Sequence, residues 1–281
     1  MKRLKIQGAS PALLAIPATA AVATAAYVLR RQHRTSSKFE RLGAAALETV
    51  LNAIDANDPV TGAHVRRVAR YALILADAVP VDEHTLHTIE RVALFHDIGK
   101  IHEALFDVIH DHRKLDPAER REINTHPVRG ATVLEPLRSF YPDLPKGVVA
   151  HHERWDGTGY PRKLKGEAIP LSARIVAIAD TFDAITHSRR YRPGRSLEVG
   201  MNAIGEGRGT QFDPDLVDLF MAPPIVERIR AEMRGAGLVE EGPTTRRRKH
   251  GGKPDHAPDV RLRWRDTSPK QSGADRLPAK I

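Results

Sequence analysis

The sequence predicts an all-α protein. Apolar residues recur every three or four positions through the centre of the chain. Strict apolar/polar alternation is scarce there; VRLRWR at Val260–Arg265 is an exception, and it falls in the tail. The helical runs follow one another with short connections.

The first run, Phe39–Ala56, places Leu42, Ala46, Val50 and Ile54 at a period near four. Val65–Ala78 repeats the pattern with Val68, Ala72, Leu75 and Ala78. Glu83–Ile101 continues it with Leu86, Ile89, Val92, Leu94 and Phe95. Further helices are expected at Pro117–Asn124, His126–Leu137, Lys146–Glu153, Leu171–Ile185, Leu197–Glu206 and Pro214–Gly235. After Gly242 the chain turns to Pro, Gly, Arg, Lys and Asp without a helical period, which predicts a disordered basic tail.

A chain of 281 residues, 41% apolar, can bury a proper core. It has no cysteine, which removes disulfides, thiolate zinc sites and a cysteine nucleophile. The net charge is +9. Residues Gly242–Ile281 hold 11 Lys or Arg against 4 Asp, so most of the surplus lies in the tail. The basic pI therefore describes a tail rather than a nucleic-acid-binding core, and no specific nucleic-acid partner is expected. A solvated tail and a contact with anionic lipid or nucleic acid are both open.

Residues Pro11–Leu29 hold no charge, and Lys2, Arg3 and Lys5 precede them. Arg30, Arg31 and Arg34 follow. A segment of about 19 apolar residues just spans a bilayer, and the flanking arginines suit a cytoplasmic side. An uncleaved single-pass anchor in the cytoplasmic membrane is expected, with inner-membrane lipid as a partner. A cleaved signal peptide is the rival, because Ala23, Ala25 and Ala26 resemble a cleavage region.

Histidines and aspartates gather at predicted helix ends. His64 opens one helix in TGAHVRRV; His96 and Asp97 close another in FHDIGK. His126 opens the next in THPVRG, and His151 and His152 end the helix that runs into HHERWDGTGYP. Asp180 lies in RIVAIADTFDAI, with Asp183 one turn on. Taken singly, a helix-terminal histidine is a cap or dipole partner. Asp180 could pair with an arginine, and Asp97 could hold a loop. Taken together, acids amid Ala, Ile and Val need a counter-charge, and five imidazoles stand ready. Imidazole and carboxylate suit manganese, iron, cobalt or zinc. Seven such groups are too many for one ion but suit two that share a carboxylate. Asp97 is the natural bridge, since His96 and Asp97 leave one helix end in different directions. Adjacent His151 and His152 reach one ion only where the backbone is free to reorient.

HDIGK, THPVRG, HHERWDGTGYP, IADTFDAITHSRRYR and GTQFDP, in that order, resemble the HD-GYP family of cyclic di-GMP phosphodiesterases, a branch of the HD phosphohydrolases. The resemblance covers about Ala53–Phe220. It implies an HD-domain helical bundle with a two- or three-metal centre. By position, His64, His96, Asp97 and Asp180 would hold one metal; Asp97, His126, His151 and His152 would hold the second. Lys100 would contact the scissile phosphate, and Arg189 and Arg192 match the family's phosphate-binding positions. Gly159, Tyr160 and Pro161 would form a lip beside the metals, either touching substrate or closing the fold. Asp156 would be a general acid or the partner of a ligand histidine. One departure is Val60, where trimetal members carry a glutamate; two metals, iron or manganese, are therefore expected. A second departure follows HDIGK, where the family commonly continues with a Gly-Ile-Pro-like run and this chain has His102 and Glu103, which would either touch the site or belong to a loop; His110 and His112 are expected to be exposed.

The resemblance implies hydrolysis of cyclic di-GMP to pGpG and/or GMP by a metal-activated hydroxide. A catalytically silent signalling scaffold and an HD hydrolase of another cyclic dinucleotide or nucleotide are the alternatives. The expected layout is a basic N-terminus at 1–10, an anchor at 11–29 and a linker with leading helix at 30–52. A catalytic domain at 53–235 and the tail at 236–281 follow. A homodimer through the anchor and the Phe39–Ala56 helix is a further expectation.

Overall fold

The computed structural model describes residues 40–56, 58–101, 116–188 and 193–235. Among them there is no strand, only helices and an isolated bridge between Arg208 and Phe212. The chain divides into compact units 1–45 and 46–281, and the helices that carry the site belong to the second.

Residues 40–56 are helical and form α1. Its buried residues include Leu47, Leu51 and Ile54 rather than the expected Leu42, which is exposed. That stripe is buried within the chain. Helix α2, Pro59–Ala76, starts earlier than the expected Val65. The Asp58 carboxylate accepts from Val60 N at 2.9 Å and from Thr61 Oγ1 at 2.6 Å. Pro59 fills the first helical turn, where a missing N–H costs nothing. His64 consequently lies inside α2 and not at its start.

Helix α3, Glu83–Phe95, begins at the Asp82 cap and stops before the expected Ile101. His96 caps it, and Ile98–Ile101 tightens into a 3-10 turn. Helices α4 (Pro117–Ile123), α5 (His126–Leu134), α6 (Leu144–Ala150), α7 (Leu171–Thr186) and α8 (Leu197–Glu206) follow. The run expected at Pro214–Gly235 is two helices, α9 (Pro214–Phe220) and α10 (Pro223–Gly235). Pro223 and Pro224 cannot continue the hydrogen-bond ladder of α9.

Helix α7 is the hub. Ala173, Ile175, Val176, Ile178, Ala179 and Phe182 leave it buried on most sides. It packs on α2, α3, α6, α8 and α9. Tyr71 of α2 meets Phe182 edge-on at 5.0 Å, and Phe182 meets Phe220 of α9 at 5.4 Å. The 3-10 turn lies against α5 at Gly99. A Cβ there would stand 2.1 Å from the His126 carbonyl oxygen and 2.6 Å from Gly130 N. Only glycine lets the two backbones approach so closely.

Single-pass membrane placement is overturned. Among the described residues no helix is long and apolar enough to cross a membrane. The 18-residue α2 is long enough, but it carries Arg66, Arg67 and Arg70. The expected anchor at 11–29 lies outside the described residues. So do His102, Glu103, His110, His112, Arg189, Arg192 and the tail with VRLRWR.

Gly99→Ala is expected to lower stability by about 1–3 kcal/mol through overpacking against fixed backbone. Urea unfolding of the variant beside the unaltered chain measures this, and an unchanged midpoint would contradict the close approach.

Candidate metal centre

Three helix ends and two helix interiors converge on the carboxylate of Asp97. It is buried at 5% exposure. His64 comes from α2, His96 from the end of α3, His126 from the start of α5 and His151 from the end of α6. Asp180 comes from α7.

Each of these imidazoles is anchored by its Nδ1. His96 Nδ1 lies 2.8 Å from the Ala93 carbonyl, His126 Nδ1 2.7 Å from Ile123 O, and His151 Nδ1 2.6 Å from Val148 O. His64 Nδ1 lies 2.7 Å from Asp183 Oδ2. An acceptor at Nδ1 selects the tautomer protonated there and leaves the Nε2 lone pair bare. Those Nε2 atoms face Asp97. His64 Nε2 is 3.8 Å and His96 Nε2 3.5 Å from Oδ2. His126 Nε2 is 3.3 Å and His151 Nε2 4.0 Å from Oδ1. One carboxylate thus turns one oxygen to each group of histidines.

Asp180 joins the first group, with Oδ1 3.2 Å from His64 Nε2 and 3.9 Å from His96 Nε2. His152 joins the second. Donor atoms of His126, His151 and His152 lie within 4.8 Å of one another, as do those of His64, His96 and Asp97. His96 Nε2 and Asp97 Oδ1 are buried without a hydrogen-bond partner. Buried orphan atoms of this kind are costly unless something binds them. A divalent cation fits both: it accepts the imidazole lone pair and offsets the carboxylate charge.

The electrostatics match. Burial opposes charge on Asp97, but Lys100, His96 and His126 outweigh it and hold its carboxyl well below the usual range. Burial also opposes charge on His64, yet Asp180 and Asp183 raise its pKa to about 9. Burial and neighbouring imidazoles push His151 well down and His152 to about 3. Neutral imidazole is the form that binds a metal, so His151 and His152 are ready for one, whereas His64 gives up a proton when it binds.

Lys100 Nζ lies 2.7 Å from Asp97 Oδ2, so the expected phosphate contact is, in this structure, an ion pair at the rim. Val60 is exposed one turn before His64 and offers no ligand atom. Tyr160 stacks on His152 at 4.9 Å. The bond to Pro161 is cis. Gly159 lies against backbone, where a Cβ would be 2.4 Å from Arg154 N.

Asp156 does not reach a ligand histidine. Its carboxylate accepts from Arg154 Nη2 at 3.0 Å, and from Thr158 N at 2.9 Å and Thr158 Oγ1 at 2.6 Å, all inside its own loop. The buried acid of that stretch is Glu153, whose oxygens accept from Arg162 N at 2.6 Å and Leu164 N at 3.0 Å. Sequence reasoning gave Glu153 no role; an acid directly after a buried histidine pair was the available signal. It also assigned none to Asp183, although a spacing of three on one helix puts it on the face of Asp180. GTQFDP holds the loop in place. Gln211 O accepts from Trp155 N at 3.2 Å and Thr210 O from Asp156 N at 2.8 Å. Asp213 caps α9 and pairs with Arg174 of α7 at 2.5 Å.

Comparison with known proteins places this geometry. The HD domain family matches residues 48–216. A 3′3′-cGAMP-specific phosphodiesterase 2 of Vibrio cholerae is 37% identical over 172 residues, 60% of this chain and 33% of that protein. A probable cyclic di-GMP phosphodiesterase of the same organism is 32% identical over 203 residues, 67% of this chain and 46% of that one. The cyclic di-GMP phosphodiesterase response regulator RpfG of Xanthomonas campestris is 36% identical over 177 residues, 62% and 46% of the two chains. The matches span less than half the length of these relatives. With the family matched over more than half the chain and the HHERWDGTGYP loop closing on the histidine cluster, this protein belongs to the HD-domain family, in its HD-GYP branch.

Proposed function

We propose that the chain hydrolyses the phosphodiester bonds of a cyclic dinucleotide, with cyclic di-GMP as substrate and two divalent ions, iron or manganese, around Asp97. The observation that carries this reading is the Asp97 carboxylate, which turns Oδ2 toward His64 and His96 and Oδ1 toward His126 and His151. His64, His96, Asp97 and Asp180 would hold one ion; His126, His151, His152 and Asp97 would hold the other. Ions held by these residues would lower the pKa of water to near neutrality and would offset charge on phosphoryl oxygens.

The chain's own residues supply the rest. Carbonyl and carboxylate anchors at each Nδ1 keep the imidazoles aimed before any ligand arrives, so little reorganisation is needed. Lys100, half-buried at the rim, brings an ammonium to where a scissile phosphate would lie. Arg189 and Arg192 are proposed to grip phosphate with their planar forks. Tyr160 flanks His152 and forms the lip of the site with Gly159 and Pro161. Water adds across one P–O3′ bond, leaving a 5′-phosphate and a 3′-hydroxyl, which is linear pGpG. A second addition gives GMP. The second reading is 3′3′-cGAMP as substrate, supported by the relative of that printed specificity.

The full chain, loaded anaerobically with iron or with manganese, is expected to convert cyclic di-GMP to pGpG or GMP, followed by chromatography beside 3′3′-cGAMP. Asp97→Ala should lose more than about 100-fold, since removing even an outer partner of a ligand costs up to about that much. Turnover of neither dinucleotide, despite bound metal, would overturn the reading. Glu153→Gln keeps volume but puts an amide NH2 against a backbone N–H. It should raise KM several-fold, with metal content unchanged, and cost about 1–3 kcal/mol of stability. Steady-state kinetics and metal analysis read both effects; an unchanged KM would detach the loop from substrate binding.

A further inference from the structure

We infer that Asp183, Arg67 and His187 form a positioning relay behind His64, which makes the ion position of His64, His96, Asp97 and Asp180 the tighter one, filled first. The inference rests on the two-ion reading of the centre.

The four inward imidazoles are not anchored alike. His96, His126 and His151 each rest their Nδ1 on a neutral backbone carbonyl three residues back. His64 rests on a carboxylate, Asp183 Oδ2 at 2.7 Å. A carboxylate behind a ligand imidazole takes more of the Nδ1 proton's charge than a carbonyl does, and so leaves Nε2 more basic.

The carboxylate is itself fixed. Arg67 Nε donates to Oδ1 at 2.7 Å and Nη2 to Oδ2 at 3.1 Å. His187 Nδ1 lies 3.0 Å from Oδ1. Asp183 is fully buried at 1% exposure, so these partners rather than water hold its charge and its direction. Arg67 follows His64 by three residues on α2, and His187 follows Asp183 by four at the end of α7. The relay therefore clasps α2 to α7 on the side from which His64 reaches inward.

Charge distribution adds to this ranking. The His64 side has Asp97 Oδ2, part of whose charge Lys100 offsets, and Asp180, with Asp183 one imidazole behind. The other side has His126, His151 and His152 and shares only Asp97 Oδ1. Two nearby carboxylates attract a dication more than one shared carboxylate does.

Manganese titration of the chelator-stripped full chain by calorimetry, with bound ions counted by equilibrium dialysis, tests this. The unaltered chain should take two ions in steps at least about 10-fold apart. Asp183→Asn should weaken the first step by about 10–100-fold and leave the second within about threefold. His187→Ala removes one grip and should weaken the same step less, by about threefold to tenfold. Its reading stands should Asp183→Asn lose its fold by circular dichroism. His126→Ala should remove the second step alone. A first step untouched by the relay variants, or both steps weakened equally, would overturn the ranking while leaving two ions bound. Binding of fewer than two ions by the unaltered chain would instead overturn the two-ion reading and the ranking with it.

Discussion

A buried carboxylate among imidazoles sets the terms for this fold. Asp97 is out of water, and a lone ion there would be too costly to bury. Lys100 at 2.7 Å compensates one oxygen. The other, Oδ1, has no hydrogen-bond partner and faces His126 Nε2 and His151 Nε2. The arrangement makes physical sense as a cation cage. Every anchoring hydrogen bond at an Nδ1 serves that cage by keeping an Nε2 lone pair turned inward.

The helices are arranged to bring those atoms together. α7 is buried on most sides, so its two aspartates are carried on a rigid element. Gly99 brings the turn after Asp97 against the backbone of His126 and Gly130. Short helices such as α6 end where a ligand pair is needed, and the chain then turns at once. The GYP stretch is tied back twice, by Glu153 from within and by the carbonyls of Thr210 and Gln211 from across. That places Tyr160 over His152 without a long loop.

Much of this was legible in the residues. Periods of three and four located α7 and α8 closely, because their apolar faces bury in the core, while α3 stops at Phe95, short of the expected Ile101. Capping chemistry decided what periodicity missed. Asp58 and Pro59 start α2 ahead of its first buried valine, and Pro223 breaks what reads as one long helix. The residues singled out for metal binding, all within the described part, lie together around Asp97, because the ends of α3, α5 and α6 meet the interiors of α2 and α7 there. Partners of partners were hidden. Asp183 and Arg67 meet only when α2 crosses α7, and no local spacing reports a contact across 116 positions, although His187 stands four residues from Asp183. Asp156 looked like a candidate acid beside the histidines, yet an Asx-type bond to Thr158 is the nearer option for it. Hydropathy alone suggested a span at 11–29, which lies outside the described residues, and no described helix is long and apolar enough to cross a membrane.

The most direct measurement is anomalous diffraction at the manganese edge, on crystals of the full chain grown with that ion. The account predicts two peaks on opposite sides of the Asp97 carboxylate. One would lie within bonding distance, about 2.0–2.3 Å, of His64, His96 and Asp180, the other within the same distance of His126, His151 and His152. A single peak, or peaks away from Asp97, would contradict it.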